Sequence, residues 1–265
     1  MLPSLFIAHG APLLAIENNE YTQFLQQLGT TLSRPKAIVL FSAHWESQLQ
    51  KVSNVEEYST IYDFGGFPEE LYQIQYPAKG QQALTQEIQQ LFANEGIPFE
   101  VETKRGLDHG AWVVLRMLYP HADIPVIAMS VNPHLSPAQQ YTIGKSLAGL
   151  REKDVLIIGS GGTVHNLRVL NWGKDSTGEI DDWALGFDEW LAVRLKNWNI
   201  EDLFNYQTMS AAANLAVPPY GTEHFIPIFY AMGAADNQQT AALLHRSYRY
   251  GNLSHSVWQF GGETK

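Results

Sequence analysis

The chain runs to 265 residues, 45% of them hydrophobic and 17% charged, so it can bury a core without staples and is not of disordered composition. Lys and Arg number 17 against 27 Asp and Glu, a formal net charge of −10, which argues against nucleic-acid binding. There is no cysteine, and that excludes disulfides, thiolate zinc sites, iron–sulfur clusters and a cysteine nucleophile.

In chain order, Leu5-Phe6-Ile7 reads as a short buried strand, and Tyr21, Phe24, Leu25, Leu28 and Leu32 then fall on one face of a helix. Ala37 to Phe41 is a second buried strand, and Leu84, Ile88, Leu91 and Phe92 mark a second helix. Phe99 to Thr103 alternates as an edge strand does, and Val126 to Val131 is again apolar on both faces. Ser136-Pro137-Ala138-Gln139 opens a helix with an N-cap Ser, Pro at the first helical position and Gln at the capping-box position. Val155 to Ile158 is the fourth buried strand, and Trp183, Phe187, Trp190, Leu191 and Leu195 mark a further helix. Ser256 to Phe260 reads as a second edge strand. Such alternation predicts an α/β fold: a single domain over 1–265, with a central, mostly parallel sheet flanked by helices. No run approaches the roughly 18 apolar residues of a membrane span, and the first basic residue is Arg34, too late for a secretory n-region. A cytoplasmic protein is expected, monomeric or homodimeric, with no membrane partner.

Three familiar motifs fail on context. Gly144-Lys145-Ser146 resembles the end of a phosphate loop, but Gln139 stands where its first glycine must sit. Gly159-Ser160-Gly161-Gly162 follows a strand, but Val164 replaces the third glycine of a dinucleotide fingerprint. Ile158 rules out a nucleophile elbow at Ser160, and no HExxH is present.

The nine histidines carry more information. Ligands of open α/β sheets bind outside the carboxyl ends of the strands. His9 follows the first strand, His44 the second and His165 the fourth with its Gly-rich turn, so all three are expected on one rim. Each alone reads equally as a packed or surface residue. Together, with no cysteine available, they suit a nitrogen-ligated zinc(II) or iron(II) centre. His109 heads a helix, where Asp108 can satisfy it, and His224 precedes Pro227, which sets the first turn of a helix; each reads as a surface residue or as part of the site. His134 also follows a strand, whereas His121, His245 and His255 lie in polar surroundings and are expected to be solvated. Asp63-Phe64-Gly65-Gly66-Phe67-Pro68 reads as a lid or pocket wall, or simply as a packed loop.

These blocks resemble a known family. Ile7-Ala8-His9-Gly10-Ala11-Pro12, Ser42-Ala43-His44-Trp45, Asp108-His109-Gly110-Ala111-Trp112, Gly161-Gly162-Thr163-Val164-His165-Asn166-Leu167 and Glu223-His224-Phe225-Ile226-Pro227 are similar to the histidine blocks of the class III (LigB-type) extradiol ring-cleaving dioxygenases. Within it, the likeness is to the 4,5-DOPA dioxygenase extradiol-like subgroup, whose Asp63 to Pro68 loop is also present. The resemblance implies one divalent metal per chain, Fe(II) for activity or Zn(II) as found, on His9, His44 and His224. It implies His165 as the acid–base histidine, near enough to act as a fourth ligand, and His109 as a hydrogen-bond partner of substrate or oxygen. Phe64 and Tyr220 would contact the substrate, and Glu223 would sit behind His224. Ala11 stands where the family often has Ser and Val114 where Pro is common, which bears on substrate choice rather than on metal binding. The implied reaction opens a DOPA-like catechol with O2 to a muconic semialdehyde-type product. A zinc-dependent hydrolase and a catalytically silent zinc site use the same histidines and stay open at this stage.

Overall fold

The computed structural model describes residues 1–262. Its strands are β1 (Ser4–Ala8), β2 (Ala37–Glu46), β3 (Gln50–Ser53), β4 (Phe99–Glu102), β5 (Val126–Val131), β6 (Val155–Gly161), β7 (Ala241–Arg249) and β8 (Leu253–Phe260). Its helices are α1 (Glu20–Thr31), α2 (Gln82–Asn94), α3 (His109–Leu118), α4 (Pro137–Ser146), α5 (Asp182–Lys196), α6 (Ile200–Phe204), α7 (Tyr206–Met209), α8 (Ala213–Ala216) and α9 (Pro227–Gly233).

The eight strands form one sheet in the order β4-β3-β5-β2-β6-β1-β8-β7. The four central strands, β5, β2, β6 and β1, are mutually parallel, as their apolar runs predicted. Alternate residues point to opposite faces. Phe6, Val39, Phe41, Ile127 and Ile157 therefore bury against α2, α4, α5 and α9 on one side. Leu5, Ile7, Ile38, Leu40 and Ile158 bury against α1 and α3 on the other. The capping box at Ser136 forms as the sequence indicates, with Ser136 and Gln139 satisfying each other's backbone N–H. No helix is long and apolar enough to cross a membrane among the described residues.

Two expectations are corrected. Ser256 to Phe260 belongs to β8, which is not an edge: it lies between β1 and β7 and is almost wholly buried. Its polar alternation has another cause. Ser254 donates to the Asp188 carboxylate at 2.7 Å, and the Ser254 and Ser256 hydroxyls meet at 2.7 Å, so a polar row is satisfied inside the protein. The edges are β4, as expected, and β7. His255 is likewise not solvated but 3% exposed, its ring stacked on Tyr21 at 4.6 Å, and burial pushes its imidazole down to about 3. His245 is half-buried against Tyr21 and Phe24, whereas His121 and His134 are exposed.

Candidate active site

Five histidines meet at the carboxyl edge of the parallel strands. His9 directly follows β1, with its backbone N–H continuing the ladder to Gly161 at 3.1 Å. His44 lies near the end of β2, in a stretch where the register against β5 shifts between Phe41 and Glu46. His165 follows β6, three residues beyond Gly162, and donates its backbone N–H to Ala216. His109 is the first residue of α3, because Asp108 caps that helix by accepting from the Ala111 N–H at 3.1 Å. His224 occupies the turn that Pro227 ends by starting α9.

Glycines in β6 bring that turn close. A Cβ at Gly161 would stand 2.0 Å from the His224 carbonyl oxygen, and one at Gly159 2.2 Å from that of Pro227. Only glycine admits the turn so near the sheet, and Gly162 N–H then donates to the His224 carbonyl at 2.7 Å. Gly161→Ala is therefore expected to cost about 1–3 kcal/mol and to weaken metal binding by pushing His224 outward. Gly162→Ala meets only the His165 side chain at 3.5 Å or beyond and should change stability by less than about 0.5 kcal/mol. Urea unfolding and metal titration of the two variants check the contrast.

The rings of His9, His44 and His224 form a nearly equilateral triangle, with centroids 4.8, 5.0 and 4.9 Å apart. Their ligand nitrogens all lie within 4.8 Å of one another, and Nε2 of His9 and His44 are 3.0 Å apart. Two nitrogens at right angles around an ion about 2.1 Å away stand about 3.0 Å from each other, so this spacing fits a shared cation. His109 lies beside His44, centroids 3.9 Å apart. His165 lies flat on His224, 3.6 Å away and 5° from parallel.

Polar partners behind the rings fix which nitrogen faces inward. The Ser160 hydroxyl donates to the Gly110 carbonyl and so can only accept from His9 Nδ1, 3.1 Å away, which leaves Nε2 with its lone pair toward the cluster. Glu223 accepts from His224 Nδ1 at 2.9 Å with the same consequence. Arg105 bridges the His44 carbonyl at 3.0 Å and the Asp108 carboxylate at 3.1 Å, and Ser42 donates to Asp108 at 2.5 Å. These contacts tie β2 to the start of α3. Burial and the neighbouring imidazoles push His9 and His224 well below the ordinary histidine range. His165 is lowered by burial and His224, against a counter-pull from Glu223. His44 falls to about 4 through burial and His109, opposed by Asp108, Asp63 and Glu223. His9, His44, His165 and His224 are thus neutral, nitrogen-donating rings at neutral pH.

A family model for the catalytic LigB subunit of aromatic ring-opening dioxygenases matches residues 3–261. The chain belongs to the LigB family. It is 41% identical to a 4,5-DOPA dioxygenase extradiol of Beta vulgaris, over 97% of this chain and 96% of that one. It is 38% identical to the protein of the same name from Escherichia coli K12, over 98% and 95%. The crystal structure of an uncharacterized E. coli K12 protein superposes with a TM-score of 0.84 at 35% identity, covering 98% of this chain and 100% of that one. As a LigB protein with these relatives, the chain is an extradiol ring-opening dioxygenase, and the hydrolase and silent-zinc readings give way.

The remaining candidate residues fall around the LigB histidines in different ways. Phe64 stands edge-on to His109, centroids 5.8 Å apart, within an aromatic group of Tyr62, Phe67, Tyr72 and Trp112. Tyr220 is 63% exposed, and the Arg168 guanidinium lies 4.0 Å above its ring. His109 is not satisfied by Asp108, which is committed to Ser42, Arg105 and the helix cap; its Nδ1 lies 2.9 Å from Asp63 instead. Ser160, Arg105 and the Asp63 carboxylate escaped the sequence reading. Asp63 sat in a loop singled out for its aromatics and glycines, while Ser160 carries no local signal, since His9 lies 151 residues away, and Arg105 joins nearby Asp108 to a His44 carbonyl 61 residues away.

Proposed function

We propose that this enzyme opens the ring of a catechol with dioxygen, yielding a muconic semialdehyde-type product, and that His9, His44 and His224 hold one divalent cation for the purpose. The observation that carries the reading is the triangle of inward-facing imidazoles, two of whose Nε2 atoms stand 3.0 Å apart. Three neutral nitrogen donors without a thiolate suit iron(II) or zinc(II), and ring opening by dioxygen calls for the redox-active one. When bound, such an ion acidifies a phenolic hydroxyl and gives dioxygen a place beside the ring.

The protein's own groups supply the rest. His165, a neutral ring at the edge of the triangle, takes a phenolic proton and returns it later in the turnover. Its face-to-face stacking on His224 supports this role over fourth-ligand duty: an ion lies in the plane of the imidazole that binds it, and two facing planes cannot share one ion. His109 presents a ring nitrogen to the substrate, where it accepts a hydrogen bond from a catechol hydroxyl. Phe64 and its aromatic neighbours form a wall against which a planar ring packs and from which water is kept. Tyr220, with Arg168 upon it, borders the turn that carries His224.

The DOPA in the relatives' names makes a catechol with an amino-acid tail the first compound to try. The test is product analysis with a panel of catechols, before and after a chelator. A product with the mass of the catechol plus one dioxygen, lost on chelation and restored by iron(II) but not by zinc(II), is expected. An unaltered catechol, or activity indifferent to chelation, would refute the proposal.

A further inference from the structure

We propose that Asp63 is a positioning residue that sets His109 and His44 in register with one another; the inference rests on the functional reading above. Its carboxylate comes from the aromatic loop and spans both rings. Oδ1 accepts the His109 backbone N–H at 2.9 Å and stands 2.9 Å from His109 Nδ1, while Oδ2 faces His44 Nδ1 at 3.5 Å. His109 is 6% exposed, and its Nδ1, set off the N–H axis of that contact, has no other polar partner among the described residues. A carboxylate accepts and cannot donate, so its place beside both Nδ1 atoms favours the tautomer with the proton on Nδ1 and a bare Nε2 toward the space before the cluster. For His44 that nitrogen is the one 3.0 Å from His9 Nε2.

The same carboxylate fastens the loop. Phe64, the next residue, is held edge-on to His109, while Gly65 and Gly66 beyond it have open space around them and Gly66 adopts a φ of +78°. Tyr62 donates to the Ile74 carbonyl at 2.7 Å and Trp112 to that of Ile61 at 3.0 Å, so the loop is pinned on its other side. One group thereby places a metal-holding ring, a substrate-facing ring and the aromatic wall relative to each other.

The experiment compares wild type, Asp63→Asn and Asp63→Ala by two readouts. Two-bond nitrogen–proton NMR of the histidine rings in zinc-loaded protein reports the tautomers, and steady-state kinetics of iron-loaded protein reports turnover. In wild type the His109 and His44 rings should both be protonated on Nδ1. In Asp63→Ala the His109 resonances should move to a mixture of tautomers, with zinc still at one ion per chain. Iron-loaded Asp63→Ala should lose about 10–100-fold in kcat with KM changed by less than about threefold. Asp63→Asn, which keeps the acceptor for the backbone but offers its amide to a ring, should lose turnover without recovering the tautomer. Unchanged ring resonances in Asp63→Ala would overturn the proposal, as would a raised KM at unchanged kcat. A second zinc ion lost with Asp63 would also overturn it, by making the carboxylate a ligand with His44 and His109. If wild type opens no ring, the functional reading fails, and the NMR comparison still decides the role of Asp63.

Discussion

Replacing His165 with glutamine lowers turnover by about 10²–10⁴-fold and leaves one metal ion bound per chain. The size follows from removing a positioned proton acceptor while the rest of the site stands. His165 is not one of the three rings whose ligand nitrogens gather within 4.8 Å; it stacks flat on the back of one of them. Its backbone is held by the Ala216 carbonyl and its neighbour Asn166 by that of Leu215, so a glutamine there inherits a fixed loop. Metal analysis beside steady-state kinetics is the check. Loss of the metal along with turnover would make His165 a ligand first and a proton carrier second.

Replacing any one of His9, His44 and His224 with alanine removes both metal and activity. The loss in metal affinity should exceed the roughly 10–100-fold that attends loss of a supporting hydrogen bond, since a donor itself is gone. Each of the three enters by a different route: the end of β1, the shifted stretch of β2, and the turn against Gly161. The fold beneath them does not depend on the ion. The strands that carry His9 and His44 are buried on both faces by apolar side chains, so urea midpoints of the metal-free variants should stay near that of the metal-free parent. Metal titration of the three variants, read beside Asp63→Ala, ranks donors against supports. A variant that kept its metal at parental affinity would remove that histidine from the ligand set.

The sequence made the scaffold legible where a local pattern has a single physical meaning. An apolar run bounded by breakers, such as Val126 to Val131, can only be a strand covered on both sides, and Ser-Pro-x-Gln at 136–139 can only start a helix. His9, His44 and His165 were readable because parallel strands deliver their carboxyl ends to one rim. His109 and His224 gained their meaning from the family resemblance, as no spacing rule links a helix start to a turn 115 positions away. The failures have one cause. Ser256 to Phe260 looks like an edge strand and His255 looks solvated in sequence, because a buried polar row and a stacked imidazole are satisfied by partners such as Asp188 and Tyr21, which are distant in the chain. Asp63 and Ser160 eluded reading for the same reason, since what they do is defined by rings they meet only after folding.

Oxygen uptake by anaerobically iron(II)-loaded protein, given a panel of catechols with zinc-loaded protein as control, tests the central claim most directly. Uptake of one dioxygen per catechol consumed, with a new absorbance band from the opened ring and none of either with zinc, is the predicted result. No uptake with any catechol, from protein shown to hold iron at the three histidines, would contradict it.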